Sequence, residues 1–307
     1  MKNKYIIKFL LALLVMQGFR LSAQQLPQYS QWMLNDYVMN PAIAGRSDYW
    51  EAKSNNRYQW VGIPDAPRTY MLSLQGPFKS MKMGMGGNIY TDIVGPTRRT
   101  GIDLSYAYHI KLSSEYKLSL GLSAGIVQYA VDGSKITTHD ANDPVLSANY
   151  QSTIVPDIGA GIYFYSKKLS VGVGLPQLYH ANLKFFVDQN TKSNLASHLY
   201  ALASYKFNLG DKFVLEPGVL IKYVKPAPVQ ADIGVKCTYR NMLWIGLNYR
   251  TNDAVSALLG YMYNNWLLFG YSYDYSITPI RKYNSGTHEV MIGLRFQKKK
   301  KAESDAK

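Results

Sequence analysis

A chain of 307 residues with a single cysteine can form neither an internal disulfide nor a cysteine-based metal site. Cys237 lies in an apolar stretch and reads as a small packed hydrophobe. Long apolar runs are also missing. Beyond the N-terminal stretch, no segment approaches the roughly 18 apolar residues of a membrane-spanning helix. Histidine is scarce, and His109, His139, His180, His198 and His288 include no close metal-ligand pair. No phosphate loop, nucleophile elbow, protease motif or deaminase motif occurs. The expectation is therefore a protein that is not an enzyme and takes no cofactor or metal. Acidic residues are few, 20 against 34 Lys and Arg, for a formal charge of +14. Much of that excess sits at the two ends, in Lys2, Lys4, Lys8 and Arg20 and in the tail KKKKAESDAK. Such a distribution argues against nucleic acid as a partner, and export argues against it further.

The beginning, MKNKYIIKFLLALLVMQGF, has lysines, then an apolar run from Phe9 to Met16, then small residues ending at Ala23. This is the pattern of a secretory signal over 1–23, with a run too short to span about 30 Å of hydrocarbon. What the chain has in abundance is tyrosine, 26 residues, with 24 glycines. After residue 47 the dominant period is two. In YKLSLGLSAGIVQY, Leu118, Leu120, Leu122 and Ile126 fall on one face and Lys117, Ser119, Gly121 and Ser123 on the other. In NWLLFGYSYDYS, Leu267, Phe269, Tyr271, Tyr273 and Tyr275 oppose Leu268, Gly270, Ser272 and Asp274. Segments of about ten such residues have the length of a tilted membrane-spanning strand.

Turn signals divide 47–297 into about fourteen strands. The even-numbered gaps are tight (KSM, SSE, KK, GD, N, NN), and the odd-numbered gaps include every long one. Segregation of loop length by parity is the signature of an all-β, antiparallel up-and-down barrel in an outer membrane. Its apolar faces and rings would meet outer-membrane lipid. Residues 24–46 lack the alternation, so they are not wall; they are placed at or inside the periplasmic end. Residues 298–307 read as a basic flexible tail.

Charges recur on the inward face: Asp103, Lys117, Asp157, Lys206, Glu216, Lys222, Asp232, Lys236, Asp274 and Arg295. With both signs mixed they satisfy one another better than they line a selective pore. Glycines beside them leave room for long neighbouring side chains. Asp140 and Asp143 in THDANDP read as turn-formers before they read as a cation site. Phe185 and Phe186 fall in an external loop, where they either pack into the barrel mouth or contact a partner.

Two stretches carry a resemblance. The first is QQLPQYSQWMLNDYVMNPAIAGRSDYW, with Gln28, Tyr29, Ser30 and Gln31 in one motif and Asn40, Pro41, Ala42 and Gly45 in the next. The second is YSYDYSITPIRKYNSGTHEVMIGLRF, with His288 and Glu289 after Thr287, where a serine would be expected. Together they resemble the opening and closing segments of the PorP/SprF family, outer-membrane proteins found with the type IX secretion system of Bacteroidota. The resemblance implies a non-enzymatic component serving export, capture or surface anchoring of a cognate secreted protein, often in gliding motility. It also implies periplasmic ring lipoproteins as partners. The basic tail beyond Phe296 departs from the pattern of a chain ending on an aromatic strand terminus. The competing reading is a passive outer-membrane channel for small solutes. Read from the residues alone, Asn40–Gly45 is a turn and short helix that Pro41 starts and Gly45 stops.

Overall fold

The computed structural model describes residues 26–136, 150–183 and 193–296. The expected signal, Asp140 and Asp143, Phe185 and Phe186, and the basic tail lie outside those residues.

The alternation becomes strand wherever it was legible. The first half of the wall comprises β1 (Trp50–Tyr58), β2 (Arg68–Phe78), β3 (Ser80–Val94), β4 (Thr97–Lys111), β5 (Lys117–Asp132), β6 (Tyr150–Tyr165) and β7 (Leu169–Leu175). A small hairpin, β8 (Asn182–Leu183) with β9 (Ser193–Asn194), stands apart from the main sheet. The wall continues through β10 (His198–Tyr205), β11 (Phe207–Leu209), β12 (Phe213–Val224), β13 (Gln230–Tyr239), β14 (Leu243–Arg250), β15 (Ala254–Tyr263), β16 (Leu267–Ser276) and β17 (Thr287–Phe296). Successive wall strands pair antiparallel, and β1 closes on β17 from Trp50 opposite Phe296 to Tyr58 opposite His288. β10 and β11 are one stave interrupted at Lys206, both paired with β12, so the barrel is closed with 14 staves. Closure leaves no unpaired edge facing lipid.

Two of the tight turns show why asparagine recurs there. Arg240 and Asn241 have φ of 49° and 55°, and Asn264 and Asn265 have φ of 45° and 59°. Two successive positive φ values are the hairpin turn whose twist matches the flanking strands, and asparagine tolerates them. These turns gather at one end of the barrel, the short-turn end. The connections at 59–67 and 277–286, with residues 176–183 and 193–197, lie at the other, the long-loop end.

The outer face is apolar at mid-height. Leu104 is 68% exposed and Leu122 65%. Rings cluster near the ends. At the short-turn end Tyr205 packs on Phe207 with centroids 4.6 Å apart, Phe213 on Tyr239 at 4.9 Å, and Tyr116 on Phe164 at 5.4 Å. Tyr58 and Tyr70 meet edge to face at the long-loop end. An apolar band between aromatic girdles is what a lipid bilayer selects, which accounts for part of the abundance of tyrosine, while Tyr29, Tyr37, Tyr90, Tyr163, Tyr165 and Tyr200 fill the core. Among the described residues no helix is long and apolar enough to cross a membrane; the strands cross it.

The core lies inside the barrel. Residues 26–46 run through the lumen, and Tyr29, Trp32, Tyr37, Met39, Ala42, Ile43 and Ala44 are buried against inward residues of the wall. The segment reaches further than the short-turn end: Leu26 donates its N–H to His198 and Gln28 bonds Gln230, both at the long-loop end.

Candidate functional site

The lumen segment is held at three levels. Nearest the short-turn end, Asn40 caps a single 3-10 turn, Pro41–Ile43, by accepting the Ala42 N–H at 2.9 Å. The same side chain donates to the Ile162 carbonyl at 3.0 Å. Gly45 has φ of +73°, ends the turn, and donates its N–H to Gln75 at 2.9 Å. The Ala44 carbonyl meets His109 Nε2 at 2.8 Å. Backbone comes so close to the wall here that any side chain on Gly84 would overlap the Ala44 carbonyl, one on Gly121 the Ala42 backbone, and one on Gly174 the Met39 carbonyl. These wall glycines therefore make room for the lumen segment's own backbone. Elsewhere they leave room for neighbouring side chains, as Gly101 does for Tyr90 and Gly260 for Trp244. In the middle, Asn35 bonds Asn55 and Ser73, and Lys53 reaches the Leu34 carbonyl.

The third level, in the long-loop half, is a charged clamp on Ser30 and Gln31. Ser30 Oγ donates to Asp274 at 2.6 Å and accepts from Arg57 at 2.8 Å and Arg250 at 3.1 Å. One donor and two acceptors are all a hydroxyl has, so its capacity is filled. The N–H groups of Ser30 and Gln31 donate to the two carboxylate oxygens of Glu289 at 2.7 and 3.2 Å. The Ser30 carbonyl accepts from Asn248 at 2.7 Å. Arg57 pairs with Asp274 at 2.8 Å and with Glu289 at 3.1 Å, and Arg250 pairs with Asp232 at 3.0 Å. Lys222 completes the set on Asp232 at 3.1 Å. Arg250 also reaches Asp253 at 3.2 Å, so three cations face four carboxylates, and Ser30, Arg57, Arg250, Asp232, Asp274 and Glu289 are each at most 2% exposed. Ions this deep are stable only when each is paired and hydrogen-bonded, as these are.

The clamp brings the two terminal motifs into contact. Ser30 and Gln31 of the opening stretch rest on Asp274 and Glu289 of the closing one. Tyr29 packs in the lumen core, and Gln28 stands at the mouth. His288, one residue from Glu289, falls on the opposite face of β17 and meets the Tyr271 hydroxyl at 2.7 Å. The other inward charges form separate groups. Asp103 and Asp157 line, with Tyr29, a cavity of about 70 Å³. Glu216 pairs with Lys236 at 2.9 Å, and Arg295 pairs with Glu51 at 3.0 Å, at the short-turn end. Phe185 and Phe186 are outside the described residues. The stem that carries them packs Ala181, Leu183 and Leu195 on Val127 and Val155 of the wall.

Sequence reasoning missed Arg57 and Arg250, two of the three cations of the clamp. β1 reads WEAKSNNRY and is polar on both faces, so no lipid face marked which residues point inward. Arg250 ends β14 beside a turn, and only strict alternation from Trp244 through Gly246 and Asn248 would have found it. Among the described residues no three His, Cys, Asp or Glu side chains are grouped to hold a metal. Cys237 is half-buried and free.

Solved structures with this architecture include the Ralstonia pickettii toluene transporter TbuX. It aligns with a TM-score of 0.50 at 10% identity, over 85% of this chain and 92% of that one. The CymD monoaromatic hydrocarbon channel aligns equally well, 0.50 at 12% identity, over 87% and 92%. At such identity the likeness is one of fold. No curated protein matches the chain by sequence. The model of a family described as type IX secretion system membrane protein PorP/SprF matches residues 21–294, nearly the whole barrel with its lumen segment, and the chain belongs to that family of outer-membrane proteins.

Proposed function

We propose that this protein is a non-enzymatic platform for export, capture or surface anchoring of a cognate secreted protein of the type IX pathway. Gliding motility is the setting in which such a cargo would act, and periplasmic ring lipoproteins are the partners proposed at the inner face. The observation that carries the reading is the filled lumen. A segment clamped by five buried charges and seated on wall glycines favours a barrel that recognises over one that conducts. Catalysis has no place in the reading, because recognition needs surface rather than a nucleophile. The long connections, including the one holding Phe185 and Phe186, supply external area for a cargo. Residues 1–23 would be removed as the export signal.

The test compares a deletion strain with its parent by surface proteomics and by small-solute uptake. The expected result is loss of one or a few surface proteins with uptake unchanged. Lost uptake with an unchanged surface proteome would instead make the protein a passive channel. Restoration by the full gene, but not by one lacking 182–192, would assign cargo recognition to that loop.

A further inference from the structure

At the short-turn end the lumen opens into a vestibule of about 620 Å³. That volume lies within the range of about 300–1,000 Å³ usual for ligand pockets. Lys167, Lys168, Lys206, Lys236 and Arg295 line it, against one carboxylate, Glu216. Two of the cations are already matched, Lys236 by Glu216 and Arg295 by Glu51. Lys167, Lys168 and Lys206 have no carboxylate within ion-pair distance among the described residues. Leu34 of the lumen segment, with Leu268, closes the vestibule inward, and a second cavity of about 220 Å³ beside it is bounded by Trp32 and Met33. An occupant therefore docks there and does not pass through.

We propose that this vestibule docks an extended acidic segment of a periplasmic protein. Unmatched cations around a polar cavity are complementary to carboxylates spaced along a chain. An anionic lipid fits less well, since its acyl chains belong on the apolar outer wall and these lysines face the lumen. Strand addition is excluded as a docking mode because the closed barrel offers no free edge. Charge must then carry the recognition. The proposal rests on the outer-membrane reading only in placing the short turns in the periplasm; the binding itself does not depend on any cargo.

The experiment uses the whole barrel in nanodiscs of zwitterionic lipid and a fluorescent peptide of alternating Glu and Ser. Saturable binding that weakens as salt is raised is expected. Changing Lys167, Lys168 and Lys206 together to Glu should lower affinity by roughly tenfold or more, whereas Lys212→Glu on a neighbouring turn should change it little. Heat-modifiable migration checks that each variant is folded. Should the triple variant fail to fold, Lys206→Glu alone and competition with a Lys/Ser peptide, which should not compete, provide the same test. No saturable binding, or equal loss in Lys212→Glu, would overturn the proposal. So would indifference to the peptide together with lysine-dependent retention of phosphatidylglycerol. A negative result here would leave the surface-proteome experiment untouched, and the reverse also holds.

Discussion

Ser30 shows how much one small side chain can organise. Its hydroxyl lies between two guanidinium groups and a carboxylate, and its N–H is one of two on Glu289. Alanine there leaves the charges paired with one another but removes the group that all three share. A cost of about 1–3 kcal/mol is expected for Ser30→Ala, the usual price of orphaned buried polar groups. Arg57→Met should be worse, about 3–5 kcal/mol, because Glu289 then loses its only ion-pair partner among the described residues while 0% exposed. The double variant Arg57→Met with Glu289→Gln should recover part of the loss, since no unpaired charge remains on β17. Urea unfolding in lipid vesicles measures all three, together with Glu289→Gln alone. If the double variant loses the full sum of the singles, Arg57 and Glu289 are not coupled as described. Gly84 tests the other end of the segment. Gly84→Val would collide with the Ala44 carbonyl, so the segment should detach there and become open to protease with the wall intact. Protection equal to the native protein would contradict the packing.

Among the elements, strands whose outer face is apolar were legible from alternation alone, because lipid demands a hydrophobic residue at every second position. β4, β5, β15, β16 and β17 fall in this group. β1 was placed only by its neighbours, since its outer face carries Ser54 and Asn56 beside Ala52. For residues 26–46 the sequence placed the segment only at or inside the short-turn end; its path onward into the long-loop half was not legible. No periodicity marks a segment of successive turns packed against the wall, and the clamp contacts of Ser30 and Gln31, Arg57 apart, are with residues more than two hundred positions away. That is also why the two terminal motifs could be recognised separately without any indication that they touch. The filled lumen has a consequence at Ser119. Ser119 faces inward, where an open lumen would accept Arg, but it is 0% exposed. Ser119→Arg should therefore be costly. The informative contrast is Leu104→Arg, at mid-height on the lipid face and expected to cost about 2–4 kcal/mol, against Thr238→Arg, which points into the vestibule and should be tolerated. Equal destabilisation by urea would mean that the faces are misassigned. Orientation is checked separately. Single cysteines at Val61 and Arg281, in a Cys237→Ala background, should label on intact cells, and those at Lys167 and Asp211 should not.

For the whole molecule the question is whether the barrel conducts. A wall of 14 staves has room for a lumen, and in this chain residues 26–46 occupy it from one end to the other. The occupant is covalently joined to β1, so it cannot diffuse away. Its release would require breaking the clamp, the Asn35 bonds and the Asn40–Gly45 seat together. The intact protein should accordingly be nearly silent in a planar bilayer. A variant lacking residues 26–46 should still fold, because the wall is self-paired through β1 and β17 and water entering the lumen would solvate the freed charges. That variant should show discrete conductance steps. Steps from the intact protein, equal in size to those of the truncated one, would mean that the segment leaves the lumen readily and would return the channel reading to first place. Silence from both, with the truncated variant folded, would place the barrier in the wall's own side chains. Arg57, Arg250, Asp274 and Glu289 could then close the lumen without Ser30 between them.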